Sequence, residues 1–253
     1  MPITSKAGLT TSKVMRLVDY TLLKAFADEK QIDALVREAA RVGAYSVCIL
    51  PEYAERARNM IDANNYGLRL AVVADFPLGG KTTLQRKEEV RAMARTADEV
   101  DIVIQIGLLK SGRFDDVGRD LRGLAEEAHS GGMKLKVIIE TAYLTATEKE
   151  KASELVLESG ADFIKTSTGF ADKEYASSLG NVGIGATVED IALIAAVSKR
   201  LGRPEVGIKA SGGVKTRAQV LTLLAASGRA AEPGSFRVGA SSVDAIYNEG
   251  NDR

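Results

Sequence analysis

The chain is short of the residue types from which many protein sites are built. Cys48 is the only cysteine among 253 residues, so no intrachain disulfide can form. That fits a reducing, cytoplasmic setting. There is one histidine, His129, and no tryptophan. A metal site made of several histidines, or a Ser-His-Asp triad drawn from a histidine cluster, is therefore disfavoured. No apolar run nears the roughly 18 residues that a membrane helix needs. The opening Met-Pro-Ile-Thr-Ser-Lys-Ala-Gly-Leu-Thr holds no apolar stretch of the kind a secretory signal carries. Neither sign of charge dominates, with 34 basic against 34 acidic residues. A nucleic-acid or membrane-surface partner is not expected, although a local phosphate pocket is compatible with that balance.

What is present can bury a sizeable core: 45% of residues are hydrophobic and 27% charged. Short β-rich runs alternate with longer helical patterns. Strands are expected at Leu17–Leu22, Tyr45–Leu50, Leu68–Ala74, Glu99–Ile106, Lys134–Ile139, Asp162–Thr166, Glu205–Lys209 and Ser235–Val238. Helices are expected between them, as at Glu29–Val42, where Ile32, Leu35, Val36 and Ala39 share one face. Pro51 opens another, and Gly131 and Gly160 mark helix ends. About eight β/α units in a chain of this length fit a (β/α)₈ barrel, which typically takes roughly 250 residues. An open doubly wound sheet would usually have fewer strands. The fold expected is α/β, a single barrel domain over residues 1–253 with a short N-terminal helical extension. One connection, Ser167–Thr187, runs long with little periodicity and reads as a functional lid.

Two lysines are out of place. Lys165 lies in Gly-Ala-Asp-Phe-Ile-Lys-Thr-Ser-Thr-Gly-Phe (160–170), and Lys209 lies in Val-Gly-Ile-Lys-Ala-Ser-Gly-Gly-Val (206–214). Each closes an apolar strand and runs into small residues, although lysine is rarely buried unless it is paired or working. The bland reading has each one snorkel to solvent. Against it, the two fall on the neighbouring sixth and seventh strands, at the strand ends where barrel active sites lie. Phe163 shares a face with Lys165 and Gly207 with Lys209. Two amines in one cavity cannot both stay comfortably charged, and a neutral amine attacks carbonyls to form Schiff bases.

Asp101, inside the apolar Glu-Val-Asp-Ile-Val-Ile (99–104), is the acid candidate. A buried carboxylate needs a partner, and a lysine across the barrel would supply one for proton transfer. The alternative is a strand-start aspartate facing solvent. Lys136 adds positive potential if it points inward, and is otherwise a solvated strand-start lysine. Glycine- and serine-rich turns at Thr166–Gly169, Ala210–Gly213 and Gly239–Ser242 follow late strands. Backbone N–H groups there suit a phosphorylated substrate. Gly180–Gly185 does not match the dinucleotide fingerprint, so NAD is discounted. Cys48 reads as a small buried hydrophobe, and His129 as a cation at the negative end of its helix.

From about Leu17 to Ser242 the chain resembles the deoxyribose-phosphate aldolase family, class I aldolases on a (β/α)₈ barrel. The landmarks run in order. They include Asp-Tyr-Thr-Leu-Leu-Lys (19–24), Ser-Val-Cys-Ile-Leu-Pro (46–51), Asp-Phe-Pro-Leu-Gly (75–79), Lys-Val-Ile-Ile-Glu-Thr (136–141), Asp-Phe-Ile-Lys-Thr-Ser-Thr-Gly (162–169), Gly-Ile-Lys-Ala-Ser-Gly-Gly-Val (207–214) and Arg-Val-Gly-Ala-Ser-Ser (237–242). The resemblance implies that Lys165 forms the Schiff base, that Lys209 lowers its pKa and that Asp101 relays protons. It implies further substrate contacts at Asp19, Thr21, Cys48, Lys136 and Thr168. The phosphate would sit on Gly169, Gly212, Gly213, Gly239, Ser241 and Ser242. The implied reaction is reversible cleavage of 2-deoxy-D-ribose 5-phosphate to glyceraldehyde 3-phosphate and acetaldehyde. No metal or organic cofactor is implied, because the protonated imine is itself the electron sink. A homo-oligomer, dimer or tetramer, is expected from base rates. Two other readings are a related aldolase with a different acceptor and a barrel that only binds a sugar phosphate. Tyr20, Leu50, Gln105 and the stretch 171–184 depart from the family pattern around the acceptor pocket.

Overall fold

The strands are β1 (Val18–Leu22), β2 (Ser46–Ile49), β3 (Arg69–Ala74), β4 (Glu99–Val103), β5 (Lys134–Ile138), β6 (Phe163–Lys165), β7 (Gly207–Ser211) and β8 (Phe236–Ala240). Each pairs in parallel with the next, and β8 returns to β1 through Val18↔Val238 and Asp19↔Gly239 to close a barrel. The structure, a computed structural model, describes residues 9–249. Most of the opening stretch read for a targeting signal, residues 1–8, lies outside the described residues. Among those described, no helix is long and apolar enough to cross a membrane.

The helices are α1 (Thr11–Met15), the short N-terminal extension, α2 (Glu29–Val42), α3 (Ala54–Ala63), α4 (Thr83–Met93), α5 (Ile106–Lys110), α6 (Phe114–Ser130), α7 (Ala146–Ser159), α8 (Lys173–Ser178), α9 (Val188–Arg200), α10 (Arg217–Ser227) and α11 (Asp244–Asn248). Local chemistry starts several of them. Asp28, Thr82, Thr145 and Thr216 each form a capping box with a Gln or Glu at the third helical position. Such a cap contributes about 1 kcal/mol. The face expected on α2 is the one that is buried, with Ile32, Leu35, Val36 and Ala39 all in the core.

Several expected boundaries move. The strand expected over Glu99–Ile106 stops at Val103, and Ile106 opens α5. Periodicity alone cannot separate the end of an apolar strand from a short buried helix. Strand β7 runs to Ser211 rather than ending at Lys209, because Ala210 and Ser211 still pair with Val238 and Gly239 of β8. The connection Ser167–Thr187 contains α8 and is packed down rather than standing free. Asn181 donates to Ala142 and Leu144 carbonyls at 2.9 and 3.1 Å, Lys149 donates to Asn181 at 2.8 Å, and Ala186 N–H donates to Ser211 O at 2.9 Å. Ala171 and Ala176 bury a small apolar cluster with Ala142. The segment forms a wall beside the barrel mouth in this structure.

Strand alternation divides the molecule into two interiors. Outward residues such as Val47, Leu70, Val100, Val137, Ile164, Ile208 and Val238 build the main core against the helices. Inward residues on β2 and β3, with Cys48, Ala71 and Val73, form a separate small apolar cluster inside the barrel. Most of the rest of the interior is charged, and there the site lies.

Candidate active site

Along β4 to β8 and on β1, the period of two sends alternate side chains inward. These are Glu99 and Asp101, Lys136, Phe163 and Lys165, Gly207 and Lys209, Arg237, and Asp19. Cross-strand register then fixes who meets whom: Asp101 lies beside Lys136, Phe163 beside Gly207, and Lys165 beside Lys209. A Cβ on Gly207 would come 2.2 Å from the Phe163 ring, so the absent side chain makes room for that ring. Phe163 in turn stacks under Arg237, whose guanidinium carbon is 4.6 Å from its centroid and equally far from that of Tyr45.

These residues make one buried ion cluster. Lys165 Nζ donates to Asp101 Oδ2 at 2.9 Å, and Lys209 Nζ donates to the same oxygen at 2.8 Å. Lys136 Nζ takes the other oxygen, Oδ1, at 2.6 Å and also lies 2.7 Å from Glu99. Lys209 Nζ is 2.5 Å from Asp19 Oδ2, an ion-pair contact at an angle outside that of a hydrogen bond. Below them Arg237 forks onto both Glu99 oxygens at 2.8 and 2.7 Å and reaches Asp19 at 3.2 Å. Lys209, Asp101, Lys136, Asp19 and Arg237 are fully buried, and Lys165 is 2% exposed.

Burial makes every one of these charges depend on its partners. Burial alone would raise the Asp101 carboxyl, but Lys136, Lys165 and Lys209 hold it well below the usual carboxylate range. Asp19 is likewise raised by burial but held low by Arg237, Lys209 and Lys136. Burial works to lower Lys209, yet Asp101 and Asp19 outweigh it and keep this ammonium above the ordinary lysine range. Lys209 is therefore a permanent cation at neutral pH. Burial, followed by the charge of Asp101 3.9 Å away, pushes the Cys48 thiol up, which leaves it a packed and unreactive group.

Above the cluster a cavity of about 370 Å³ opens at the C-terminal end of the strands. Lys165 reaches it from below, with Thr21 and Thr168 on its walls. Its far side is backbone and small side chains: Gly169, Ser211, Gly212, Gly213, Gly239 and Ser241. Gly212 holds a left-handed φ of 85°, and its Cα side faces Gly185, where a Cβ would come within 2.8 Å. Only glycine meets both demands. Ser211 ties the two loops together, donating from Oγ to Ser167 O at 2.5 Å. Lys24 and Lys215 stand exposed on the rim of this cavity.

The structure brings together Lys165, Lys209 and Asp101 as the sequence suggested, and shows Lys136 to be buried among them rather than solvated. Asp19, Cys48 and Lys136 lie beneath the cavity and do not line it. Ser242 is exposed like its neighbour Ser241, beside the residues that line the cavity. Tyr20 points away from the cavity into the strand–helix core, and Gln105 donates to Lys81 O at 3.1 Å. Leu50 packs on the inner apolar cluster beside the mouth. His129 closes α6 and pairs with Asp162 at 2.9 Å. Sequence reasoning missed Glu99, Arg237, Lys24, Lys215 and Glu140. For the first two a signal existed: a charged residue two positions from Asp101, and one two positions before Gly239, share the inward face.

A lysine reaching an open pocket at the strand ends of a (β/α)₈ barrel, backed by a fixed cation, is a site for carbonyl chemistry. The chain matches the DeoC/LacD family aldolases over residues 13–248 and belongs to that family. It is an aldolase, and so a lyase. It is 42% identical to the deoxyribose-phosphate aldolase of Thermoplasma volcanium over 236 residues, 93% of this chain and 94% of that protein. It is 40% identical to that of Thermococcus gammatolerans over 230 residues, 90% of this chain and 92% of that one. Among solved structures it is similar to the tetrameric deoxyribose phosphate aldolase of Aeropyrum pernix, with a TM-score of 0.80 and 25% identity over 96% of this chain and 93% of that one.

Proposed function

We propose that this chain cleaves and forms 2-deoxy-D-ribose 5-phosphate through an imine at Lys165. One observation carries the assignment: Lys165 is the lysine of the cluster that reaches the cavity, and its Nζ shares Asp101 Oδ2 with Lys209. Four cationic side chains (Arg237, Lys136, Lys209, Lys165) face three carboxylates (Asp19, Glu99, Asp101) in the cluster. Releasing one proton balances them. Lys209 touches two carboxylates, whereas Lys165 touches only one and reaches the cavity, so Lys165 is the amine placed to attack.

In the cleavage direction the Lys165 nitrogen adds to C1 of the open-chain sugar, and loss of water gives the protonated imine. The C3 hydroxyl passes its proton to the Asp101 carboxylate, directly or through a water, the C2–C3 bond breaks, and its electrons move into the imine to form an enamine. Glyceraldehyde 3-phosphate leaves. Protonation at C2 and hydrolysis release acetaldehyde and restore the amine. Asp101 aligns the lysines and relays the proton between the C3 hydroxyl and C2, through a water where the distance requires one. The phosphate sits against Gly212, Gly213, Gly239 and Ser241, with Lys24 and Lys215 as its charged partners. Thr21 and Thr168 contact the sugar. The enzyme works in the cytoplasm as a homo-oligomer, a reading supported by its single buried free thiol and by the tetrameric Aeropyrum relative.

Borohydride added with acetaldehyde should leave an N-ethyl group on Lys165, read by mass spectrometry of the modified peptide. Trapping that persists after Lys165→Ala would sink the assignment.

A further inference from the structure

Glu140 is a buried acid that the reaction steps above do not use. It follows β5, two residues beyond Ile138, which pairs with Lys165. It is 1% exposed, and among the described residues its carboxyl has no Lys or Arg partner. Its backbone is left-handed at φ 52°, a conformation that a residue with a side chain adopts only when its surroundings hold it there. The flanking N–H groups explain the hold: Ile139 donates to Lys165 O and Thr141 to Thr166 O, both at 2.9 Å. The twist at Glu140 is thus clamped on both sides to the segment that carries Lys165.

The side chain has a single job in hydrogen-bonding terms. Oε2 accepts from both Thr168 N–H, at 3.1 Å, and Thr168 Oγ1–H. Thr168 Oγ1 accepts in turn from Phe170 N–H at 3.0 Å. Phe170 meets Phe76 edge-on at 5.5 Å between centroids, and Lys24 lies over its ring at 5.7 Å. The other oxygen, Oε1, is buried without a partner.

We infer that Glu140 is a positioning residue for the aldol reaction: its carboxyl group holds Thr168, and through it Gly169 and Phe170, in the cavity wall beside Lys165. This rests on the imine reading of Lys165. Burial pushes the Glu140 carboxyl up, and the bonds from Thr168 and the charge of Lys165 only partly offset that. What does the holding is the Oε2 acceptor on Thr168, whichever protonation state the carboxyl is in. Among the described residues, Lys165 is the charged group that acts on this carboxyl.

Glu140→Gln and Glu140→Asp separate the possibilities. Gln keeps the length and an acceptor oxygen for Thr168 without the acid. Asp keeps the acid but withdraws it by one methylene. Steady-state kinetics with 2-deoxyribose 5-phosphate, the borohydride-trapping rate at Lys165 and melting temperatures are measured on both. Gln should stay within about threefold of the parent in kcat/KM. Asp should fall on the order of 10- to 100-fold, in the range a misplaced wall produces, with Thr168→Ala adding nothing further to the Asp variant. An active Asp variant beside an inactive Gln variant overturns the proposal, because the carboxylate would then be what matters. Loss in both at unchanged melting temperature overturns it too, because the acid's own proton would then be used. Parent-like kinetics in both leave Glu140 no role in the reaction. Failure of the parent to trap at all refutes the imine reading instead, and is seen before any variant is made.

Discussion

Lys165 and Lys209 stand opposite one another in register on β6 and β7, and both ammonium groups point to one oxygen of Asp101. The pairing gives them unequal surroundings. Lys209 is enclosed by two carboxylates and cannot readily lose its proton, whereas Lys165 keeps one carboxylate and faces the cavity.

Lys209→Met tests that division of labour, since Met fills similar volume without charge. We expect kcat/KM near neutral pH to fall by on the order of 100-fold. The acidic limb of its pH profile should move to higher pH by about one unit or more, because the cation that disfavours a proton on Lys165 is gone. A profile with the parent's acidic limb would remove Lys209 from the mechanism. A loss of stability of about 3–5 kcal/mol should accompany the change, because Asp19 and Asp101 each lose a buried partner.

Lys24 and Lys215 should act on the phosphate alone. Each single change to Ala should raise KM for 2-deoxyribose 5-phosphate by roughly 10-fold, the value of one hydrogen bond to a charged group. Turnover of unphosphorylated 2-deoxyribose should be unchanged. Equal losses on both sugars would place these lysines elsewhere in the reaction.

Much of this site could be read from the sequence, and the unread part has a common physical cause. Lys165, Lys209 and Asp101 stood out because each interrupts an apolar run, where a charge has no bland explanation. Glu99 and Arg237 did not, because each lies at or near the start of its strand, where a charged residue is ordinarily solvated. Only closure of the barrel puts them inside. Glu140 was hidden for a different reason. In Ile-Ile-Glu-Thr it reads as the polar end of a strand, and nothing local announces the left-handed turn that aims it inward. The barrel itself was legible because eight amphipathic units recur, but the helix α8 within the long connection was not, since its six residues are too few to show a period.

The Glu140 carboxyl should leave a mark on stability. Its folded value is raised by burial, so above the unfolded glutamate value, about 4.3, the unfolded chain ionises while the folded chain holds its proton. The folded state then binds more protons, and stability falls as pH rises until the folded group also ionises. Urea unfolding from pH 4 to 8 should show that decline, with a slope of up to about 1.4 kcal/mol for each pH step of one between the unfolded and folded values. In Glu140→Gln this component should be absent. The same slope in both proteins would mean that Glu140 is ionised throughout.

Arg237 closes the floor of the cluster, and its removal should be felt in acid before it is felt in catalysis. Its guanidinium is the strongest of the charges that hold Asp19 down against burial. It also satisfies both oxygens of Glu99. Asp19 and Asp101, being depressed, contribute stability that is fully present above the unfolded aspartate value, about 3.9, and is lost as pH falls toward their folded values. Arg237→Leu lets the Asp19 carboxyl climb and leaves Glu99 without its fork. The expected loss is about 3–5 kcal/mol at neutral pH, as for other broken buried pairs, and acid unfolding followed by circular dichroism should begin at a higher pH. Arg237→Lys should recover part of the acid resistance, because the charge returns, but less of the stability, because a single ammonium cannot bridge two Glu99 oxygens and Asp19 in the plane between Tyr45 and Phe163. Identical acid transitions in Arg237→Leu and the parent would show that Asp19 is held by the lysines alone.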